Sequence, residues 1–78
     1  MLKDEKGLKD LLEELYRYYF GRVRQLSNEV DEESVFYEAK AQGGLEVVET
    51  IYLQLYGGKE TYRLWEGELK RYDKTAGD

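Results

Sequence analysis

Apolar residues in the first third of the chain recur at steps of three and four. Over residues 3–26 they are Leu8, Leu11, Leu12, Leu15, Tyr19, Val23 and Leu26. Charged residues fall on the opposite side of a 3.6-residue repeat, which is the pattern of an amphipathic helix. The sequence therefore predicts a helix over residues 3–26. Gly21 weakens it, because glycine costs about 1 kcal/mol relative to alanine inside a helix.

A short acidic segment follows at residues 27–33. Its sequence is Ser-Asn-Glu-Val-Asp-Glu-Glu, with carboxylates at Glu29, Asp31, Glu32 and Glu33. Serine and asparagine favour turns, because their side chains hydrogen-bond to nearby backbone. We expect an acidic loop here.

From Ser34 onward the chain is rich in β-branched and aromatic residues, which favour strands. Two Gly-Gly pairs, at 43–44 and 57–58, enclose a segment in which apolar odd positions alternate with polar or tyrosine even positions. Paired glycines suit two-residue hairpin turns, which need positive φ. We therefore predict one α+β domain over residues 1–78. The long helix packs on a three-stranded antiparallel β-meander over 34–72, and a flexible tail occupies 73–78.

Strand register supports the second hairpin better than the first. The turn at 57–58 would pair Ile51 with Leu64, Leu53 with Tyr62, Tyr52 with Arg63 and Gln54 with Thr61. These pairs separate an apolar face from an aromatic, polar one. The turn at 43–44 would instead oppose Glu38 to Glu49, and like charges in that position are destabilising.

A helical interpretation of the same stretch is the alternative. In residues 45–56 the polar set Glu46, Glu49, Thr50 and Gln54 shares one helical face. The sequence from Asp31 to Ser34 also has the composition of a helix cap. The alternative fold is an all-α domain of three to four helices.

Composition limits the chemistry of the chain. It has 78 residues, no cysteine and no histidine, so imidazole and thiol catalysis and imidazole-ligated metal sites are excluded. Ser27 and Ser34 would need a lysine as base, and a capping or turn role suits both better. A short chain also hardly builds the cleft that a carboxylate pair needs. We expect no enzyme, no cofactor and no metal site.

Charge and hydropathy indicate the kind of partner and the cellular compartment that we expect for the protein. Its 12 basic and 17 acidic residues give a net charge of −5. Affinity for nucleic acid comes mainly from basic charge, so a nucleic-acid binder is not favoured. The same charge steers the molecule toward basic surfaces. The apolar runs are short and the N-terminus is charged, so we expect a soluble, cytoplasmic protein.

Two groups of residues are candidate binding surfaces. The open sheet face and the acidic loop would present the first group, which is Tyr37, Tyr52, Tyr56, Arg63 and Trp65 with Glu29, Asp31, Glu32 and Glu33. Tyrosine and tryptophan are enriched among residues that dominate binding energy at interfaces. A second patch interleaves aromatic and basic residues and consists of Tyr16, Arg17, Phe20 and Arg24.

These features favour a small acidic, non-enzymatic protein-interaction module. We expect an inhibitor or regulator that docks on a basic surface of a larger protein, such as one that handles nucleic acid. Small phage-encoded inhibitors offer an analogy of class. One alternative is a homodimeric structural or accessory protein. A weaker alternative is direct nucleic-acid binding through Arg17, Arg22 and Arg24, with Lys70 and Arg71.

Overall fold

Two helices make up the described part of the chain. The computed structural model describes the backbone of residues 5–76 and the side chains of residues 7–72. Helix α1 spans Glu5–Leu26 and helix α2 spans Glu32–Ala76. None of residues 5–76 lies in a β-strand. The predicted α+β fold, with its three-stranded meander over 34–72, is therefore wrong, and the structure favours the all-α alternative.

Helix α1 ends at Leu26, where the apolar spacing predicted the end of a helix. Lys3 and Asp4, the first residues of the predicted helix, lie outside the described residues. The Ser27 amide donates to the Val23 carbonyl at 2.9 Å, and the Ser27 hydroxyl donates to the Arg24 carbonyl at 3.0 Å. These bonds satisfy carbonyls that the end of a helix leaves without partners.

Helix α2 begins inside the segment that we predicted as an acidic loop. The Asp31 carboxylate accepts a hydrogen bond from the Ser34 amide at 3.1 Å, and the Asp31 carbonyl accepts one from the Val35 amide at 3.1 Å. This is the geometry of an N-cap residue. Glu32 and Glu33 occupy the first turn of α2, where negative charge is favourable. The connection between the helices is thus residues 27–31.

Gly57 divides α2 into two arms. Its backbone has φ 90° and ψ 168°, a conformation that is essentially restricted to glycine. We call residues 32–56 the first arm and residues 58–76 the second arm. The Thr61 hydroxyl donates to the Gly57 carbonyl at 2.8 Å, which satisfies a carbonyl at the break. The Gly57-Gly58 pair therefore makes a turn, but the turn joins two helices.

Both arms pack against α1 in opposite directions. The first arm is antiparallel to α1, since Lys9 Nζ lies 5.4 Å from the Tyr56 ring centroid and Gly44 lies against Tyr19. The second arm is parallel to α1, since Lys9 also bonds Glu60 and Tyr72 stacks on Phe20. The result is an up-down-up arrangement of three helical rods measuring 42 × 28 × 20 Å. The second arm ends at Ala76, within the predicted tail 73–78, and residues 77–78 lie outside the described residues.

The core follows a helical repeat. One row of buried or half-buried residues along the first arm follows steps of three and four, through Ser34, Glu38, Ala41, Leu45, Val48, Tyr52 and Tyr56, and Gly44 and Glu49 flank it. This is the spacing of helices that pack side by side. Val48 and Tyr52 meet Leu12, Tyr16 and Phe20 of α1 in one buried cluster. The odd-numbered apolar residues of 45–56 are mostly exposed in the helix, and their two-residue alternation beside the helical repeat is why this segment predicted a strand.

The Gly43-Gly44 pair lies inside the first arm and is not a hairpin. A Cβ built on Gly44 would lie 2.6 Å from an atom of the Tyr19 ring. Glycine at this position lets the backbone of the first arm approach α1 closely. Gly44 is required because it has no side chain to collide with Tyr19, and not because the chain turns there.

We predict that Gly57→Ala lowers the free energy of unfolding by about 1–3 kcal/mol, because alanine is strained in this backbone conformation. Gly67→Ala is the control, since its Cβ meets no atom within 4 Å. That change should raise stability by up to about 1 kcal/mol through helix propensity. Urea denaturation followed by circular dichroism measures both. Equal stability of Gly57→Ala and the parent chain would contradict the assigned break.

We predict that Gly44→Ala costs about 1–3 kcal/mol, because the added methyl overpacks the Tyr19 ring. A double-mutant cycle with Tyr19→Ala isolates this contact. In the Tyr19→Ala background, the alanine at position 44 should cost less than half as much. An equal cost in both backgrounds would show that the two helices do not meet there.

Candidate functional site

A polar groove lies along the junction of α1 with the second arm. Its volume is about 300 Å³, and its charged lining consists of Arg17, Arg63 and Arg71 with Glu13, Glu60 and Glu68. Equal numbers of basic and acidic side chains make the groove electrically balanced. The spacing of Glu60, Arg63, Gly67 and Arg71 along the second arm places them on one flank of that helix.

Glu68 is the buried centre of this groove. The residue is only 3% exposed, and it occupies a core position of the second arm. Arg17 Nε donates to Glu68 Oε2 at 3.3 Å, and Arg71 Nε lies 3.7 Å from Glu68 Oε1. Glu68 Oε1 is buried without a hydrogen-bond partner. Two arginines thus neutralise the charge, while one oxygen remains incompletely satisfied.

Two tyrosines form the apolar floor next to the groove. Tyr52 is 1% exposed, and its hydroxyl donates to Glu13 Oε2 at 2.8 Å. Burial and this hydrogen bond raise the pKa of Tyr52. Burial, together with the charges of Glu49 and Glu68, raises the pKa of Tyr16 to about 12. Both phenols therefore stay neutral near pH 7 and act as hydrogen-bonding core residues.

Ion pairs occupy the exposed end of the groove. Lys9 Nζ donates to Glu60 Oε1 at 3.1 Å, and Arg63 lies 3.3 Å from the other Glu60 oxygen. The Lys9 hydrogen bond, with the charge of Arg63, lowers the pKa of Glu60. Glu60 and Glu68 are thus each paired with two basic side chains, as in a structural ion-pair network. Among the described residues, no group of three or more acidic side chains is arranged to hold a metal ion.

The predicted acidic group lies at the turn between the helices and supports that turn. The Ser34 hydroxyl donates to Glu29 Oε2 at 2.6 Å, and it also lies 2.8 Å from Asp31 Oδ1. Hydrogen bonds from Ser34 lower the pKa of Asp31. Glu32 and Glu33 are exposed. The four carboxylates lie close together in the chain, and two of them hold the start of α2.

The structure does not bring the predicted aromatic surface onto one face. Tyr52 lies in the core, and half-buried Tyr56 packs against it with ring centroids 4.8 Å apart. Arg63 is exposed and pairs with Glu60, whereas Tyr37 is exposed near the start of α2. Trp65 and Tyr37 each remain in an exposed aromatic pair, with Tyr62 and with Phe36, but the two pairs lie on different arms of α2. The open sheet face that was to gather these side chains does not exist.

The second predicted patch is also divided. Tyr16 and Phe20 are buried, with ring centroids 5.8 Å apart, and they belong to the core. Arg17 is engaged by Glu68, and the Arg24 guanidinium lies 5.5 Å from the Tyr72 ring centroid. The aromatic residues face inward and the arginines border them. The 3.6-residue period of the helix places the aromatic residues and the arginines on different sides, which explains why they alternate along the sequence.

An exposed aromatic pair on the second arm was not predicted as a unit. Tyr62 is 60% exposed and Trp65 is 37% exposed, and their ring centroids lie 5.6 Å apart. We call them the Tyr62–Trp65 ridge. Leu53, on the first arm, is 43% exposed and approaches the turn, since its Cδ1 would lie 3.8 Å from a Cβ on Gly58. The three-residue step from Tyr62 to Trp65 is the sequence signal for a shared helical face.

Charged residues occur on both arms near the level of the Tyr62–Trp65 ridge. Glu46 and Glu49 share the flank of the first arm that carries Leu53, because residues three, four and seven apart lie on the same side of a helix. Glu66 directly follows Trp65 and is 4.0 Å from Lys70. The ridge is thus aromatic at its centre, and residues of both charge signs lie next to it on the second arm, since Arg63 follows Tyr62 and Lys70 pairs with Glu66.

A second apolar surface lies on the other flank of the first arm. Its exposed members are Leu11 and Tyr18 of α1, with Val47, Ile51 and Leu55 of α2. The last three recur at steps of four, so they form one stripe on their helix. The antiparallel register of Tyr19 with Gly44 and of Lys9 with Tyr56 places the α1 residues beside this stripe. We call this surface the α1–first-arm face.

Comparison with known proteins indicates no function for this chain, so the surfaces described above are the basis for the function proposed below. No protein-family model, curated protein or solved structure matches this chain. Within the described part of the chain, neither helix contains a stretch long and apolar enough to cross a membrane.

We predict opposite effects for the two partners of the buried ion pair. Arg17→Ala should cost about 1–3 kcal/mol, because it leaves the buried Glu68 charge poorly compensated. Glu68→Leu should be neutral or stabilising by about 1–2 kcal/mol, since apolar residues often replace buried ion pairs without loss. Chemical denaturation measures both. A strongly destabilised Glu68→Leu would show that the carboxylate organises the helices.

Proposed function

We propose that the protein is a non-enzymatic interaction module that docks on a basic surface of a larger protein through the Tyr62–Trp65 ridge. The observation that carries this proposal is the exposed aromatic pair, in a chain whose net charge is −5. Tyrosine and tryptophan supply much of the binding energy at protein interfaces. As the proposed binding surface, the Tyr62–Trp65 ridge replaces the open sheet face that the sequence predicted. Trp65 belongs to both surfaces.

Charge selects the kind of partner. The net charge of −5 and the carboxylates Glu46, Glu49 and Glu66 favour a basic surface. Such complementarity speeds association and rejects acidic partners. A protein that handles nucleic acid fits, because its basic groove already accepts phosphates. Occupying that groove would make the module an inhibitor or regulator, and the proposal places both proteins in the cytoplasm.

We predict that Tyr62→Ala combined with Trp65→Ala weakens binding at least about 30-fold, the size expected for loss of a binding hot spot. The immobilised chain is used to capture proteins from a lysate of its native source, and mass spectrometry identifies them. A purified candidate is then titrated into each variant by isothermal calorimetry, because Trp65, the one tryptophan in the chain, is absent from the double variant and its fluorescence cannot serve as the signal. The matched control is Phe36→Ala, which removes an aromatic ring that is 57% exposed at the far end of the first arm.

Salt and charge provide the second part of this experiment. Binding should weaken as salt rises, and Glu46→Gln with Glu49→Gln and Glu66→Gln should reduce both the association rate and this salt dependence. A partner that is acidic, or that binds equally well without the ridge, would contradict the proposal. Loss of binding with Phe36→Ala alone would place the site at the other end of α2.

A further inference from the structure

We propose that a pocket between α1 and the first arm binds a free nucleotide. The pocket has a volume of about 230 Å³, and it is lined by Tyr18, Tyr19 and Arg22 of α1 with Tyr37, Lys40 and Ala41 of α2. We call it the tyrosine pocket. This inference goes beyond the proposed function, because the Tyr62–Trp65 ridge lies on the second arm and contributes nothing to the lining.

Each helix presents one row of side chains to the tyrosine pocket. Tyr18 and Arg22 are four residues apart on α1, and Tyr37 precedes Ala41 by four residues on the first arm, so the members of each pair share a helical face. Tyr19 is half-buried and Ala41 is buried, whereas Tyr18 and Tyr37 are exposed. The pocket is therefore closed toward the core, and it keeps two aromatic side chains accessible from solvent.

The two basic residues of the pocket lack acidic partners. In the described part of the chain, carboxylates pair with five other basic residues, which are Lys9, Arg17, Arg63, Lys70 and Arg71. The half-buried Arg22 side chain forms no ion pair or hydrogen bond with a described residue, and Lys40 lies over the Phe36 ring at 5.4 Å. None of the described lining residues is acidic. Because a partly desolvated charge is costly without a counter-charge, the pocket favours an anion.

The side chains of the pocket suit a phosphate that is joined to a planar ring. Arginine and lysine both bind phosphate oxygens through charge-assisted hydrogen bonds. Tyrosine rings stack on nucleobases of any sequence, because every base has a π-face. Arg22 and Lys40 would bind the phosphate, and Tyr18 or Tyr37 would stack on the base. A nucleotide carries both groups in one small molecule.

Size and charge favour a free nucleotide over a nucleic-acid strand. Pockets for small molecules usually measure about 300–1,000 Å³. A pocket of about 230 Å³ accepts one nucleotide and leaves part of it in solvent. A strand would bring further phosphates toward a chain with a net charge of −5, which opposes its binding. The pocket therefore recognises a single nucleotide.

The first experiment compares ligands that differ in one group. Adenosine monophosphate, ribose 5-phosphate and inorganic phosphate are titrated into the full chain and followed by amide chemical shifts. Adenosine monophosphate should bind with a Kd of about 1 mM or tighter. Ribose 5-phosphate, which lacks the base, should bind at least about 5-fold more weakly. Absence of saturation by about 5 mM adenosine monophosphate, or equal affinity for all three ligands, would overturn the proposal.

The second experiment uses a matched pair of arginines on α1. Arg22→Gln should weaken nucleotide binding at least about 10-fold, because it removes a charge-assisted contact to phosphate. Arg24→Gln makes the same change in charge about 200° around the helix, where the guanidinium lies 5.5 Å from the Tyr72 ring centroid. It should keep the affinity of the parent chain. Equal losses in the two variants would show a general effect of charge and would contradict the pocket.

Lys40→Gln keeps the proposal testable if Arg22→Gln fails to fold. Lys40 is exposed, so this change should preserve helix content while weakening nucleotide binding at least about 5-fold. Unchanged affinity in Lys40→Gln would overturn the assigned phosphate contact. Tyr62→Ala with Trp65→Ala should bind the nucleotide as the parent chain does, which separates this pocket from the ridge.

Two further ligands identify the source of the phosphate. An oligodeoxyadenylate of about ten nucleotides should bind no more tightly than adenosine monophosphate, because the chain repels additional phosphates. O-phosphotyrosine should bind more weakly than adenosine monophosphate. Tighter binding of the oligonucleotide would assign the pocket to single-stranded nucleic acid, and tighter binding of O-phosphotyrosine would assign it to a phosphorylated protein. Either result would overturn the assignment to a free nucleotide.

Discussion

The fold depends on the backbone conformation of Gly57. A 45-residue helix without this break would carry its second half away from α1 and leave the buried cluster covered on one side only. The positive φ of Gly57 reverses the chain so that both arms run along α1. Lys9 is contacted by both arms beside the turn, through the Tyr56 ring and the Glu60 carboxylate. The core around Tyr16 and Tyr52 and the polar groove both follow from this reversal.

The two arms contribute different kinds of residue to the interior of the protein. The first arm brings Ala41, Val48 and Tyr52 to the core, whereas the buried positions of the second arm are Thr61 and Glu68. Leu64 and Tyr72 of the second arm are only partly buried against the core, so hydrogen bonding and ion pairing make up more of its interior, and these stabilise less per residue when the cost of desolvation is included. The second arm also carries the exposed Tyr62–Trp65 ridge. Much of its aromatic surface is thus directed outward, where it is available to another molecule.

Only part of this structure was predictable from the sequence. The end of α1 at Leu26 follows from apolar spacing, and the turn at Gly57-Gly58 follows from glycine chemistry. The sheet prediction failed because residues 45–56 satisfy both a two-residue and a helical period, and because the composition of the first glycine pair also suits a hairpin turn. The clash of Glu38 with Glu49 in that hairpin and the cap at Asp31 were the signals for helix. The ridge was not predictable as a surface, because which flank is exposed depends on how the two arms pack against α1.

The break at Gly57 also bears on how copies of this chain can exchange parts. Straightened through residue 57, α2 would be about 68 Å long, from the rise of 1.5 Å per helical residue. Its second arm would then lie beyond its own α1 and reach the α1 of another molecule. The same Arg17–Glu68 and Lys9–Glu60 pairs would form between chains, giving a domain-swapped dimer. One glycine dihedral thus separates a self-contained bundle from an intertwined one.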